Sequence, residues 1–447
     1  MKTMCRRSFS ILMFAVLIVN ANSVSAVIPG VTLVGRGAVA GNSLDRSGLT
    51  GDICQASDTS NCVSAAILGG YGSDITYTGH DNVYVAAPDR GPFDGLTDIS
   101  YINRFHFFHI TTSIGSPFPN IRPTLLDTRF FKNEFGQFFL GGAGEFDITS
   151  PLLTRRLDPE GIRIGANGNF YISDEYGPYV FEFDRQGNLV RRLNVPAKFA
   201  IANPNSNPSS ELTGNTAGRQ ANRGMEGLAI TPDGTKLIGI MQNALLQDNA
   251  LMPMTTTRIS VYSRIVTIDL ATGESREFVY PLVAANRGQG ISEILAINDH
   301  EFLVVERDNR SYLTTGEAPT RKDIFKIDIN GATDVSNITG LPATGSLPVG
   351  VVPVTKSSFI NLLDPVFGLQ LNNGNAISEK VEGLAWGPDL PNGNHLLYVT
   401  TDNDLMPTLP TQIFAFEIAS DLISYQRQSL PGPFFPPGQV KKALNNQ

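Results

Sequence analysis

Acidic residues recur along this chain in a pattern that could bind a hard metal ion. Five of them each open a short apolar run, and a second polar or acidic cluster ends the next apolar run, 13 to 20 residues later. The first members are Asp74, Glu160, Glu226, Glu293 and Glu382, and the second members are Asp89, Asp174 with Glu175, Gln242 with Asn243, Glu306 and Asp402. Calcium binds six to eight carboxylate, amide or carbonyl oxygens at roughly 2.3 to 2.6 Å. The pattern therefore predicts a calcium site if the fold brings these side chains together.

The same spacing indicates an internal repeat. Short Asn, Asp and Gly clusters such as PDGT and PNGN separate the paired apolar runs, and these residues adopt the backbone conformations of tight hairpins. Two further strand-like stretches follow in each unit, most clearly at 179–195 and 264–282. Four antiparallel strands in a unit of about 40 to 60 residues are typical of a propeller blade. We therefore predict an all-β fold, a β-propeller with six blades, in which the flanking segments and both termini form the sixth; five or seven blades are the alternatives.

In a propeller, the first strand of each blade begins at one rim of the central channel and the second strand returns to that rim. The acidic clusters of all five units are therefore expected around one channel mouth. The predicted metal ligands are Asp89, Glu160, Asp174, Glu175, Glu226, Glu293, Glu306, Glu382 and Asp402. The alternative is that each acid caps backbone amides at the start of a strand. Zinc is disfavoured because the five histidines have no ligand-like spacing.

Arginines accompany these acids. Arg90, Arg223, Arg307 and Arg310 fall in the same predicted rim loops, where a guanidinium could bind a phosphate or carboxylate group of a substrate. The alternative is that they form ion pairs with neighbouring acids. The predicted catalytic residues are Glu160 or Glu226, which would accept a proton from water, and Arg90 and Arg307, which would neutralise developing charge.

The N-terminus has the features of a secretory signal peptide. Lys2, Arg6 and Arg7 precede an apolar stretch at 9–19, and small residues at 24–26 offer a cleavage site. We expect a signal peptide at 1–26, a single propeller domain at 27–447 and a secreted or periplasmic protein without a membrane span. In an oxidising compartment Cys54 and Cys62 are expected to form a local disulfide, the alternative being two free thiols.

The charge of the chain argues against nucleic acid as a partner. Removing Lys2, Arg6 and Arg7 from the 34 basic residues leaves 31 against 42 acidic residues, a net charge of −11. Such a chain gains nothing from a phosphate backbone. The sequence also contains no GxSxG or SxxK motif and no glycine-rich phosphate loop, so it offers no support for an activated serine or for nucleotide chemistry.

An ordered series of motifs resembles the phytase-like family with esterase-like activity. The series is GGYGSDITY, AAPDRGP, DPEGIRI, ISDEYGPYVFEFDRQG, NRGMEGLAITPDG, ISEILAINDHEFLVVERD and KVEGLAWGP, between about Gly69 and Ile418. The resemblance implies a β-propeller, an exported location and metal-dependent hydrolysis of phosphate or other esters. It places the family's acidic motifs on Asp89, Glu160, Asp174, Glu175, Glu226, Glu293, Glu306 and Glu382. The chain departs from the family at Gln242 and Asn243, where similar proteins tend to have an acid.

Together these observations predict a secreted, calcium-dependent hydrolase of a small anionic ester, most of all a phosphomonoester such as phytate, acting as a monomer. A lactonase or carboxylic-ester hydrolase of the same architecture is the enzymatic alternative. The alternative from a different class is a non-catalytic exported propeller that binds a protein or glycan and uses calcium only for stability.

Overall fold

The strands of this chain form five blades. The computed structural model describes residues 29–93, 101–142, 146–147, 149–150, 153–177, 180–283 and 290–445. In chain order the strands are β1 (Val31–Val39), β2 (Asp52–Gln55), β3 (Asp58–Ser64), β4 (Asp74–Tyr77), β5 (Val83–Ala87), β6 (Arg104–Thr112), β7 (Ile121–Phe130), β8 (Pro159–Ile164), β9 (Phe170–Asp174), β10 (Val180–Phe183), β11 (Leu189–Leu193), β12 (Met225–Ile230), β13 (Lys236–Met241), β14 (Tyr262–Asp269), β15 (Ser275–Pro281), β16 (Gly290–Ala296), β17 (Glu301–Arg307), β18 (Lys322–Asp328), β19 (Thr355–Asn361), β20 (Lys380–Trp386), β21 (His395–Asp402) and β22 (Thr411–Ile418). The helices are α1 (Pro208–Gly214) and α2 (Gln439–Asn445), with 3₁₀ turns at Ala197–Phe199, Leu246–Asp248 and Pro365–Phe367.

Each blade is a four-stranded antiparallel sheet. Blades 1 to 4 contain β4–β7, β8–β11, β12–β15 and β16–β19, and blade 5 contains β20, β21, β22 and β1. The predicted all-β propeller is confirmed. The predicted sixth blade is wrong for the part of the chain that the structure describes, because the N-terminal strand β1 pairs with β22 along its length, from Val31 opposite Ile418 to Val39 opposite Thr411. The two ends of the chain thus complete the fifth blade instead of forming another.

The five first strands, β4, β8, β12, β16 and β20, pack side by side in a closed ring, with β20 against β4. Glycines allow this close approach. A Cβ atom on Gly227 would lie 2.7 Å from the backbone nitrogen of Ile294, and one on Gly161 would lie 2.6 Å from the Cβ of Leu228. Gly383 faces the carbonyl oxygen of Gly72 in the same way. The glycine of each Glu-Gly pair in the sequence is therefore required by packing between blades.

Apolar side chains fill the space between neighbouring blades. Leu303 and Val305 of blade 4, for example, pack with Val381, Leu384 and Val399 of blade 5. Burial of such residues on both faces explains why the inner strands are short continuous apolar runs instead of alternating ones. The core therefore surrounds the channel and holds its lining strands rigidly in place.

A small hairpin, β2–β3, lies outside the blades. Cys54 and Cys62 face each other across it and form a disulfide, which confirms the predicted pairing. The predicted signal peptide at 1–26 lies outside the described residues. No helix in the described part of the chain is long and apolar enough to cross a membrane.

Replacing Gly227 by Ala is expected to lower the free energy of unfolding by about 2 kcal/mol, because the added methyl group would overlap the neighbouring inner strand. Gly214→Ala is the matched control: a Cβ there has no atom within 4 Å, so its effect should stay within about 1 kcal/mol. Urea unfolding followed by the fluorescence of Trp386, the single tryptophan of the chain, measures both. Equal effects of the two substitutions would contradict the close packing of the inner strands.

Candidate functional site at the channel mouth

Bulges in the inner strands direct three glutamates to the same place. In β12, Met225 is opposite Met241 and Gly227 is opposite Ile240, so Glu226 is an extra residue between them. Glu382 is the extra residue of β20, and the register of β8 shifts in the same way across Glu160 and Gly161. A bulge of this kind reorients the side chain that it adds. Glu160, Glu226 and Glu382 therefore share one structural position in three blades.

These three glutamates line a cavity of about 190 Å³ at the mouth of the channel. Its other lining residues come from the ends of second strands and from the loops above them. They are Arg90, Glu175, Asn222, Arg223, Gln242, Gly290, Arg307, Asn309, Glu379, Lys380 and Asp404. The sequence-predicted residues Arg90, Glu160, Glu175, Glu226, Arg307 and Glu382 thus lie together, with Gln242 and Arg223 beside them.

Six carboxylates and four cations line this cavity, and most of the cations are already paired. Arg90 binds Asp158 just behind the lining, through its backbone N–H at 2.8 Å and its guanidinium at 2.9 Å. The guanidinium of Arg307 contacts the Glu382 carboxylate and donates to Asn309 at 2.7 Å. Arg223 forms no ion pair with any described residue. The lining carries an excess of two negative charges, which one divalent cation would balance.

Lys380 compensates a second acidic group behind the cavity. Its ammonium lies 3.1 Å from the Asp402 carboxylate and 3.8 Å from that of Asp89, and it also contacts Asp404. Asp89 and Asp402 are buried. A lysine already occupies the space among these three acids, although its single positive charge balances only one of the three carboxylates.

Glu160 and Glu226 lack such compensation. Glu160 is 7% exposed and forms no hydrogen bond or ion pair within the described residues. Glu226 accepts a hydrogen bond from the Gln242 amide at 2.5 Å on one oxygen, while its buried Oε2 has no partner in the described part of the chain. The pKa of Glu160 is raised well above its usual value, mainly by burial and secondly by repulsion from Glu226. The pKa of Glu226 is also raised well above its usual value, mainly by burial and secondly by repulsion from Glu175.

The residues present fit a hard cation. Carboxylate oxygens of Asp158, Glu160 and Glu175 lie within 4.8 Å of one another, and those of Asp89, Asp402 and Asp404 form a second such group. The first group contains the unpartnered Glu160 and adjoins the unpartnered oxygen of Glu226, an all-oxygen donor set of the type that Ca²⁺ prefers. The acidic clusters could therefore hold a metal ion, with the first group the better candidate.

Two predicted ligands from second strands lie elsewhere because side chains alternate along a strand. In the backbone pairing of the first two strands, Asp174 lies opposite Pro159, and Glu306 lies opposite Ile291 at the equivalent position of its blade. In each blade the next residue, Glu175 or Arg307, lines the cavity instead. The Asp174 carboxylate accepts backbone N–H groups of Asp158 at 3.0 Å and Gly177 at 2.8 Å. For Asp174 the capping alternative describes the contacts that the structure shows.

Glu306 has structural partners of its own. It accepts a hydrogen bond from the Tyr280 hydroxyl at 2.9 Å and contacts the Lys356 ammonium. Neither Glu306 nor Arg310, which pairs with the exposed Glu317 at 3.2 Å, lines the cavity.

Glu293 belongs to a separate buried group with Asp74. In β16 the extra residue of the bulge is Ser292, so Glu293 takes the place of the glycine in the other blades. Arg163 lies between the two acids, 2.5 Å from Asp74 and 3.1 Å from Glu293. Burial raises the pKa of both carboxyls, so we expect the two acids to share one proton while both contact the Arg163 guanidinium. The sequence repeat placed all five acids at one equivalent position. In the structure, Asp74 and Glu293 are each shifted by one residue from the position of the other three.

Four charged residues of the site were not predicted: Asp158, Glu379, Lys380 and Asp404. Each lies within three positions of a residue that was predicted, namely Glu160, Glu382 or Asp402. Strand alternation could not have located them, because bulges lie at Glu160 and Glu382 and Asp404 has a left-handed backbone with a φ of 50°. The signal available in the sequence was their closeness to the predicted acids.

Comparisons with known proteins give one family. A family model described as "Phytase-like: Esterase-like activity of phytase" matches residues 67–405. A curated relative, "Uncharacterized secreted protein" of Arthroderma benhamiae, is 27% identical over 470 residues, covering 83% of this chain and 86% of the relative.

Solved structures of low identity also match. A luciferin-regenerating enzyme is 10% identical with a TM-score of 0.33, covering 82% of this chain and 97% of its own. A calcium-binding protein, regucalcin, from Agrobacterium tumefaciens is 10% identical with a TM-score of 0.35, covering 80% and 93%.

The buried acids should make stability depend on pH when no cation is present. Burial raises the pKa of Asp89 to about 7 and of Asp158 to about 6, from 3.8. Between about pH 4 and 7 the folded state therefore binds more protons than the unfolded state, and stability falls as pH rises through this window. Calorimetry in chelator should show the melting temperature decreasing from pH 5 to 7.5.

The variant Glu160→Gln with Glu226→Gln should melt at a higher temperature than the wild type in chelator, because it removes two buried carboxyls that repel their acidic neighbours when they ionise. A wild-type melting temperature that is constant or rises over the same window would contradict the placement of these acids in a buried, uncompensated cluster.

Proposed function

Because the chain belongs to the phytase-like family, we propose that it is a metal-dependent hydrolase of small anionic esters, with phosphomonoesters such as phytate as the leading substrate class. The channel-mouth cavity would be its active site. The observation that carries this proposal is the cavity itself: six carboxylates against four cations, with Glu160 and one oxygen of Glu226 lacking any partner among the described residues. Buried groups left in this way are typical of ligand and catalytic sites.

Glu160 and Glu175, with Asp158 behind them, would hold the cation, for which we propose calcium. When bound, the cation would supply Lewis-acid polarisation of a substrate oxygen and neutralise negative charge. The arginines would make the cavity compatible with an anionic substrate despite its acids.

Glu226 is the better-placed proton acceptor. Gln242 donates to its Oε1, which fixes the orientation of the carboxylate and leaves Oε2 without a hydrogen-bond partner among the residues that the structure describes. A glutamate whose pKa lies above its usual value is also the stronger base once it is ionised. Glu226 would therefore take the proton of the attacking water.

Arg223 would bind the anionic group of the substrate. It lines the cavity and has no carboxylate partner within the described residues, whereas Arg90 and Arg307 are held by Asp158 and Glu382. Those two paired arginines would stabilise charge that develops during the reaction and keep the acids around them in position.

We also propose that the protein acts outside the cytoplasm after removal of residues 1–26, as a monomer of one propeller domain. The signal-like composition of the N-terminus, the disulfide between Cys54 and Cys62 and the name of the secreted relative from Arthroderma benhamiae support this location.

A screen of phosphate, carboxylic and lactone esters with the mature protein tests the activity. We expect hydrolysis of at least one phosphomonoester with calcium and its loss with chelator. Calcium-dependent hydrolysis of lactones or carboxylic esters alone would favour the other enzymatic alternative. The absence of hydrolysis of every ester, with and without calcium, would leave a binding protein.

Substitution of Glu226 tests its role on whichever ester is hydrolysed. Glu226→Gln should lower kcat about 100-fold or more, because it removes the proton acceptor while nearly preserving shape. Glu301→Gln, the same change at a residue of β17 that pairs with Lys326 outside the cavity, should leave kcat within about twofold. Equal kcat values for the two variants would contradict the assignment.

A further inference from the structure

We propose that the protein has a second ligand site, in blade 2, which binds a small carboxylate attached to an apolar body, with Arg156 recognising the carboxylate. The site uses none of the residues that line the channel-mouth cavity, and it does not depend on the proposed hydrolysis.

The site is a cavity of about 240 Å³, the volume of a small organic molecule. Phe146, Phe181 and Pro204 contribute apolar lining, and Arg156, Asp174, Tyr176 and Arg219 contribute polar lining. A mainly apolar pocket with a few placed polar groups is the usual form of a small-molecule site.

Arg156 is the polar group that makes this cavity unusual. Its side chain is 3% exposed, and its Nε and Nη2 atoms have no hydrogen-bond partner among the described residues. The guanidinium carbon lies 3.3 Å from the ring centroid of Tyr176, which holds the group by a cation–π contact. Arginine stays charged at all ordinary pH values, so the buried charge cannot be removed by loss of a proton.

Other buried arginines of the protein are compensated. Arg104 pairs with Asp45 at 2.5 Å, Arg219 with Glu211 at 2.5 Å and Arg264 with Asp248 at 2.7 Å. Arg156 forms no ion pair with any residue that the structure describes. A buried charge without a partner is costly, and a bound anion would supply the partner that the described residues do not.

The geometry favours a carboxylate over a phosphate. Nε and Nη2 are neighbouring donors on one edge of the guanidinium, the arrangement that binds both oxygens of a carboxylate side by side. One uncompensated charge calls for a monoanion. Asp174 also lines the cavity, and its carboxylate would repel the second charge of a phosphate monoester.

The cavity lies on the other side of a short segment from the channel mouth. Glu175 lines the channel-mouth cavity, and the next residue, Tyr176, lines this one. Binding at Arg156 must therefore be distinguished from binding of an anion to Arg223 at the mouth.

Titration calorimetry with benzoate tests the proposal on the mature wild-type protein. We expect a Kd of about 0.1 to 10 mM, usual for a ligand of so few atoms. Binding should be about tenfold or more weaker for benzamide, which is neutral, for phenyl phosphate, which is a dianion, and for acetate, which lacks the apolar body. Undetectable benzoate binding, or equal binding of benzoate and benzamide, would overturn the proposal.

Variants locate the site. Arg156→Met should weaken benzoate binding about tenfold or more, and Arg156→Lys, which keeps the charge but loses the paired donors, should have an intermediate effect and serves if the Met variant fails to fold. Arg122→Met, at an exposed arginine of β7, and Arg223→Met should bind benzoate as the wild type does. Unchanged binding in both Arg156 variants, or its loss in Arg223→Met, would overturn the assignment to this cavity.

Discussion

Repulsion among buried carboxylates at the channel mouth is the constraint on which the rest of the structure depends. Five inner strands meet in a ring narrow enough to require glycine at 161, 227 and 383, and bulges beside those glycines turn Glu160, Glu226 and Glu382 toward one cavity. Acids in such a place need protons, cationic side chains or a metal ion. Arg90, Arg307 and Lys380 supply part of the compensation, and Glu160 with one oxygen of Glu226 is left for a ligand.

A second group of buried charged residues in the same inner strands has a structural role, unlike the acids at the channel mouth. Arg163 joins Asp74 of β4 to Glu293 of β16, with its own backbone in β8, and so connects three blades. One guanidinium contacts both carboxylates, and burial raises the pKa of each carboxyl, so we expect a shared proton to remove the remaining charge. Such a group holds the ring together and needs no ligand. The mouth has the same residue types but incomplete pairing, and that difference is what identifies it as the candidate site.

Local patterns were enough to predict much of this from the sequence. Apolar runs and turn residues predicted the first two strands of each blade and the outer strands at 179–195 and 264–282, and inner strands begin at or near Asp74, Glu160, Glu226, Glu293 and Glu382. Blade number was not accessible in the same way, because pairing of β1 with β22 joins segments from opposite ends of the chain. The register of the bulges was also missed. The extra residue of the bulge is Glu382 in β20, but in β16 it is the residue before Glu293, and only the backbone pairing reveals this difference of one residue.

Calcium binding to the metal-free mature protein is the most direct measurement of the central claim, that the uncompensated acids at the mouth hold a divalent cation. Titration calorimetry in buffers of different ionisation enthalpy near pH 6.5 reports both affinity and proton release. The account predicts binding with release of protons from the raised-pKa carboxyls, strongly weakened in Glu160→Gln and preserved in Glu301→Gln. An absence of binding, or equal binding in the wild type and Glu160→Gln, would contradict it.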